Sequence, residues 1–155
     1  MGQSLWSLAA VALLFEAALT APMPAAARDP TIVAKEAASE VAFELAECAA
    51  YYAIAGAAAE ASLAPGPERD AIVAGTRKSG DVAFNASVQL TSQKVAAARL
   101  DLSIQTMTRQ MEGSWENFSI IGAKYMWPCK DRVEAPDKRF AYWLKEKEKL
   151  PDVPH

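Results

Sequence analysis

From Pro30 to Ala64 the chain runs PTIVAKEAASEVAFELAECAAYYAIAGAAAEASLA, with no proline after the first residue, and then meets Pro65-Gly66-Pro67. Ala and Glu, which dominate the stretch, are strong helix formers. A Pro-Gly-Pro triplet stops a helix. Val41, Leu45, Cys48, Tyr52 and Ala59 recur at three- and four-residue spacing, so they share one face of a long rod. Cys48 to Ala59 is apolar all round but too short for a membrane span, so it reads as buried core. Gly56 there would let a second helix approach closely.

The remainder of the chain also reads as helix. Pro67 suits a first helical position, with Glu68 and Asp70 at the positive end of that helix dipole. Ala83, Ala86, Leu90, Gln93, Ala97, Leu100, Ile104, Met107 and Met111 alternate three- and four-residue steps, apolar except for Gln93. That pattern predicts one continuous seam, closing within one chain or between two copies as a homodimer. Gly75 and Gly80 weaken the rod upstream and are expected to bend or interrupt it, and Gly113 should end it. Ser114 caps a further helix whose Phe118, Ile121 and Tyr125 share a face. Pro128 is expected to end that helix, which leaves Cys129 at a helix–helix corner. Pro136 opens a last segment with Phe140 and Leu144 inward and lysines in its final turns. No strand-like alternation of useful length occurs. The expected fold is therefore all-α: a small antiparallel three- to four-helix bundle with one disulfide, preceded by an N-terminal signal helix.

Residues 5 to 21, LWSLAAVALLFEAALTA, form an apolar run, followed by PMPAAARD. An apolar stretch and then a small-residue site is the order of an export signal, with cleavage between Ala27 and Arg28. Cleavage after Ala21 would put Pro22 at the new terminus. The run has no Lys or Arg before it and carries Glu16, so an uncleaved membrane anchor is the alternative. The expected organisation is a leader over 1–27 and a helical domain over 28–155, periplasmic or secreted, or else anchored in the inner membrane. In an oxidising compartment Cys48 and Cys129, the only two cysteines, are most simply one disulfide. The pattern resembles small exported envelope proteins of Gram-negative bacteria, and no residue roles follow from that resemblance.

Chemistry is constrained by what is missing. The single histidine is His155, so neither a closed zinc site nor a histidine-activated nucleophile within the domain is available. No phosphate-cradling glycine loop, nucleophile elbow or haem-attachment motif is present. Sixteen Lys+Arg against nineteen Asp+Glu give a net charge of −3 and no reason to expect nucleic-acid binding. Glu36, Glu40, Glu44 and Glu47 make an acidic stripe on the first rod, but a helical-bundle metal site needs Glu-x-x-His pairs, so a solvated and partly ion-paired face is expected. No cofactor, metal or catalytic residue is expected, and the chain reads as a non-enzyme.

Aromatic residues are the more informative cluster. Trp115, Phe118, Tyr125, Trp127, Phe140, Tyr142 and Trp143 fall within 29 residues. Tyr142 and Trp143 are neighbours, as are Tyr51 and Tyr52, and one helical face cannot bury both members of a pair. The outward rings are candidate binding hot spots: Trp115, Trp127, Tyr142 and Trp143. Asn85-Ala86-Ser87 and Asn117-Phe118-Ser119 match the glycosylation pattern, which matters only in a eukaryotic secretory pathway. The functional expectation is an exported helical module that binds a protein or envelope component. The alternatives are a carrier or sensor of a small apolar ligand held between helices, a carboxylate-dependent hydrolase, and a membrane-tethered protein.

Overall fold

The computed structural model describes residues 28–150. The expected leader, its junction at Ala27 and the terminal His155 lie outside those residues. Among the described residues every regular element is helical: α1 (Pro30–Ser62), α2 (Pro67–Leu90), α3 (Gln93–Gln110), a 3-10 turn (Trp115–Asn117), α4 (Phe118–Glu134) and α5 (Pro136–Glu148).

Local chemistry sets the starts and stops. Asp29 caps α1 by accepting from the Thr31 N–H at 2.7 Å, and Pro30 occupies the first helical position, where its missing N–H costs nothing. Pro67 opens α2 with Glu68 and Asp70 in its first turn, as expected. Gly113, at φ 70°, takes the left-handed conformation after α3 that glycine adopts without penalty, and its N–H reaches back to the Thr108 carbonyl at 3.1 Å.

The chain winds around α1. Ser87 on α2 donates to the Ala42 carbonyl, while Gly80 packs beside Tyr52 and Gly56 beside Thr76, so α2 runs antiparallel to α1. In α3, Arg99 binds Ser39, and Met107 packs in the cluster around Cys48 and Tyr51, so α3 runs parallel to it. Then α4 pairs Tyr125 with Tyr51 and Arg132 with Glu47, and α5 continues along the same direction with Arg139 on Glu44 and Lys147 on Glu40. Five helices thus make four rods, with α4 and α5 sharing one that breaks at Ala135 before Pro136.

Being central, α1 is buried on almost every side, from Val33 to Ala59. By length and hydropathy it could cross a membrane, yet 61% of its apolar window is covered by the other helices, as in a core helix. The core joins Tyr51 and Ile54 of α1 to Ala83, Met107, Met111, Ile121 and Tyr125. Cys48 and Cys129 lie fully buried within it, at disulfide distance, with Cα atoms 5.2 Å apart.

Three local expectations are corrected. The seam from Ala83 to Met111 is not one rod: the helix stops at Leu90, and Ser92 caps a new one by accepting from the Val95 N–H at 3.3 Å. Glycines 75 and 80 do not interrupt α2, because the close fit of Gly80 against α1 turns a missing side chain into a contact. Pro128 lies inside α4 and not at its end, so Cys129 faces α1 from mid-helix. Proline deprives only the Lys124 carbonyl of its helical donor, and packing at Ile121, Tyr125 and Cys129 holds the helix on both sides.

Candidate functional site

The four candidate rings do not form one patch. Trp115 is exposed at the start of the 3-10 turn, Trp127 on the outside of α4, and Tyr142 on the outside of α5. Trp143 is half-buried, and its indole N–H donates to Glu44 Oε1 at 3.1 Å, which makes it part of the α1–α5 contact. Adjacent rings divide as expected. Tyr51 is buried while Tyr52 is half-exposed, and Trp143 turns in where Tyr142 turns out.

Trp115 opens onto a concavity. A groove of about 500 Å³ runs between the end of α1, the start of α2 and the 3-10 turn, lined by Tyr51, Ala59, Leu63, Ile72, Trp115 and Phe118. Leu63, Ile72 and Trp115 each leave about two-fifths of their surface exposed there. The turn before α4 aims the indole. Glu112 (φ 54°) and Gly113 are both left-handed, Ser114 Oγ accepts from the Glu116 N–H at 3.3 Å, and the Asn117 amide donates to the Met111 carbonyl at 3.1 Å. That carboxamide bond also leaves Asn117 half-buried, whereas Asn85 is exposed on α2. Sequence reading missed Leu63 and Ile72. Their only signal was position, one on each side of the Pro-Gly-Pro break.

A second concavity of about 400 Å³ lies between α1 and α2. Ala49, Tyr52, Gly56, Phe84 and Leu100 line it, together with the charged Glu60, Arg77 and Asp81. Burial raises the Tyr52 phenol above its ordinary value, with the Glu134 charge adding to the effect. Tyr51, stacked at 6.1 Å on Tyr125, is raised by burial and then by Tyr52.

The acidic stripe is an ion-pair ladder that fastens α1 to the α4–α5 rod. Arg28 forks on Glu36, Lys147 reaches Glu40 at 2.5 Å, and Arg132 reaches Glu47 at 3.1 Å. Glu44 is the buried rung: Arg139 binds both its oxygens, Trp143 donates to it, and Arg132 Nε lies 3.8 Å away. The hydrogen bond to Glu44 raises the Arg139 guanidinium further, so it stays charged. Every carboxylate of the stripe faces a cation, an arrangement that locks helices together. Among the described residues no group of three or more His, Cys, Asp and Glu side chains could hold a metal ion.

No protein-family model, curated protein or solved structure matches the chain.

Proposed function

We propose that the chain is an exported, non-enzymatic helical module that binds a protein or cell-envelope partner through the groove around Trp115. The observation that carries this reading is the convergence of Leu63, Ile72 and Trp115, three exposed large apolar side chains from three separate segments, on one concavity. Exposed apolar patches rimmed by polar residues mark interaction sites, and an aromatic anchor in a groove is the usual hot spot. Export is supported by the cysteine pair at disulfide distance and by the apolar run ahead of the domain. The test is a photoreactive amino acid at position 115 in cells. A discrete cross-linked species that disappears with Ile72→Asp is the expected result. No species at 115, or one indifferent to Ile72→Asp, overturns the reading. N-terminal sequencing of the envelope fraction checks processing: a start at Arg28 fits export with cleavage, and a start at Met1 replaces it with the tethered alternative.

The cleft between α1 and α2 favours a second reading, a carrier for a small apolar molecule. Its size falls in the range of small-ligand sites, and rings line its walls. Native mass spectrometry of fresh material should then show a bound species that Ala53→Trp displaces, and a clean unliganded mass in repeated preparations removes the idea.

A further inference from the structure

The last helix is attached differently from the rest of the bundle. α5 buries no residue completely, and its inward apolar side chains Phe140, Trp143 and Leu144 are all half-buried. In α4, by contrast, Ile121, Tyr125 and Cys129 are fully buried, with Cys129 at disulfide distance from Cys48. The bonds that hold α5 are polar. Arg139 and Trp143 bind Glu44, Lys147 binds Glu40, and Arg28 donates to the Lys147 carbonyl at 2.9 Å. Among the described residues these are all the side-chain hydrogen bonds that leave α5. The two halves of the rod also keep separate backbone ladders. The Ala135 N–H closes α4 on the Asp131 carbonyl at 3.0 Å, and the Lys138 N–H starts α5 on the Ala135 carbonyl at 3.2 Å. Between them Ala135 has φ −140° and ψ 61°, outside the helical region that a residue before proline avoids.

Undocking α5 strands less charge than its bonds suggest. Arg132 lies on the α4 side of the break, stays tied to Glu47, and is already 3.8 Å from Glu44. A helix of 13 residues is marginal on its own in water, so α5 keeps its shape only while docked. Val33, Ala37, Glu40 and Glu44 recur at steps of four, three and four along one side of α1. Because α5 binds both glutamates, it also roofs Val33 and Ala37, which are 2% and 0% exposed. We propose that α5 is a strap that releases from α1 as one unit, hinged at Ala135, while α1 to α4 stay folded around the cysteine pair. Release uncovers a second surface, Val33 and Ala37 beside Glu40 and Glu44, which the closed molecule does not present. That surface lies on the N-terminal half of α1, away from the groove at Trp115.

Hydrogen exchange of the isolated oxidised protein, read amide by amide in water and in low urea, tests this. Amides from Phe140 to Lys147 should share one protection factor, about a hundredfold or more below that of the core amides from Leu45 to Ile54. Their exchange should depend only weakly on urea, since little surface is uncovered. Glu44→Gln should lower protection across the whole of α5 by about tenfold or more, at Lys147 as much as at Phe140. Lys147→Ala, which leaves the buried rung in place, should lower it by about two- to threefold, again at Phe140 as much as near the substitution. That second variant carries the decision if Glu44→Gln does not fold. Protection in α5 equal to that of the core would overturn the proposal. So would protection that falls steadily toward Lys149, or substitutions whose effects stay local, because both describe a fraying end. Amides from Tyr125 to Cys129 opening together with α5 would likewise overturn it, since α4 would then belong to the moving unit. None of these outcomes bears on the groove, whose test reads position 115.

Discussion

Glu44→Gln should be one of the most damaging single-atom-scale changes in the domain. Glu44 is 6% exposed, and its two oxygens receive the Arg139 fork and the Trp143 indole, with Arg132 Nε at 3.8 Å. Glutamine keeps the shape but removes the charge, and it points an NH2 group at donors that have nothing to offer it. Removing one partner of a buried pair costs about 3–5 kcal/mol. Arg139 and Arg132 retain 30% and 23% of their side-chain exposure, so water takes up part of the stranded charge and the cost falls to about 2–3 kcal/mol. Glu40→Gln is the internal control. Its carboxylate is 36% exposed and meets Lys147 alone, so the loss should be about 0.5 kcal/mol. Urea unfolding of the oxidised protein, followed by circular dichroism, gives both values at a common slope. In an Arg139→Met background the Glu44→Gln cost should shrink by about 1–2 kcal/mol, since the two side chains act as a unit. Indistinguishable losses at positions 40 and 44, both under about 1 kcal/mol, would show that burial does not set the strength of this ladder.

Gly56→Ala should destabilise by about 1–2 kcal/mol, because its Cβ would meet Thr76 Oγ1 at 2.9 Å and that hydroxyl is pinned to the Ile72 and Val73 carbonyls. Gly75→Ala, with nothing within 4 Å, should instead stabilise by about 0.5–1 kcal/mol, and thermal unfolding of the pair checks the opposite signs. The raised Tyr51 and Tyr52 phenols bind their protons more tightly in the folded state, so their contribution is intact below the ordinary value of 10.0 and is lost as pH rises beyond it. Stability measured in urea should therefore fall above that pH, and Tyr51→Phe should flatten the fall; an unchanged alkaline limb counts against the burial assigned to Tyr51. Cys48→Ala with Cys129→Ala opens a loop spanning 81 positions and should cost about 4–5 kcal/mol, with equal stability in reduced and oxidised wild type as the contrary result.

The helical class and most element boundaries were legible because they rest on local chemistry. Pro30, Pro67 and Pro136 each open a helix, and Gly113 closes one, where their backbone requirements place them. The break at Thr91-Ser92 was hidden by arithmetic. Apolar residues keep three- and four-residue steps from Ala83 to Met111, although the chain reverses between Leu90 and Gln93. Ala83, Met107 and Met111 do turn inward, but so do Ser87, Ala96 and Ser103 from outside the seam, while Leu90 and Leu102 are exposed. Hydropathy misleads here for a physical reason. An alanine-rich α1 is a thin rod, its neighbours approach closely, and small side chains fit that contact better than leucine. A serine can occupy such a place when its hydroxyl returns to a carbonyl, as Ser87 does to Ala42 at 2.8 Å.

The surfaces divide along the same line. The acidic stripe was visible as spacing, but nothing local distinguishes Glu44 from Glu40, since the burial of Glu44 depends on Arg139 and Trp143, 95 and 99 positions away. Outward rings were legible as adjacency, and their grouping was not. Leu63, Ile72 and Trp115 come together because the Pro-Gly-Pro turn folds α2 back on α1 and the left-handed pair Glu112-Gly113 then delivers the indole to the same end. The outer face of α4 is the opposite case. Its outward ring belongs to a single helix, and Pro128 obscured that by suggesting that the helix ends there. Once α4 is seen to continue, Trp127 and Cys129, two residues apart, must point to opposite sides of one helix. The sulfur that fixes α4 to the core thereby fixes the tryptophan outward, so a contact made by Trp127 is made by a rigid surface with little ordering cost.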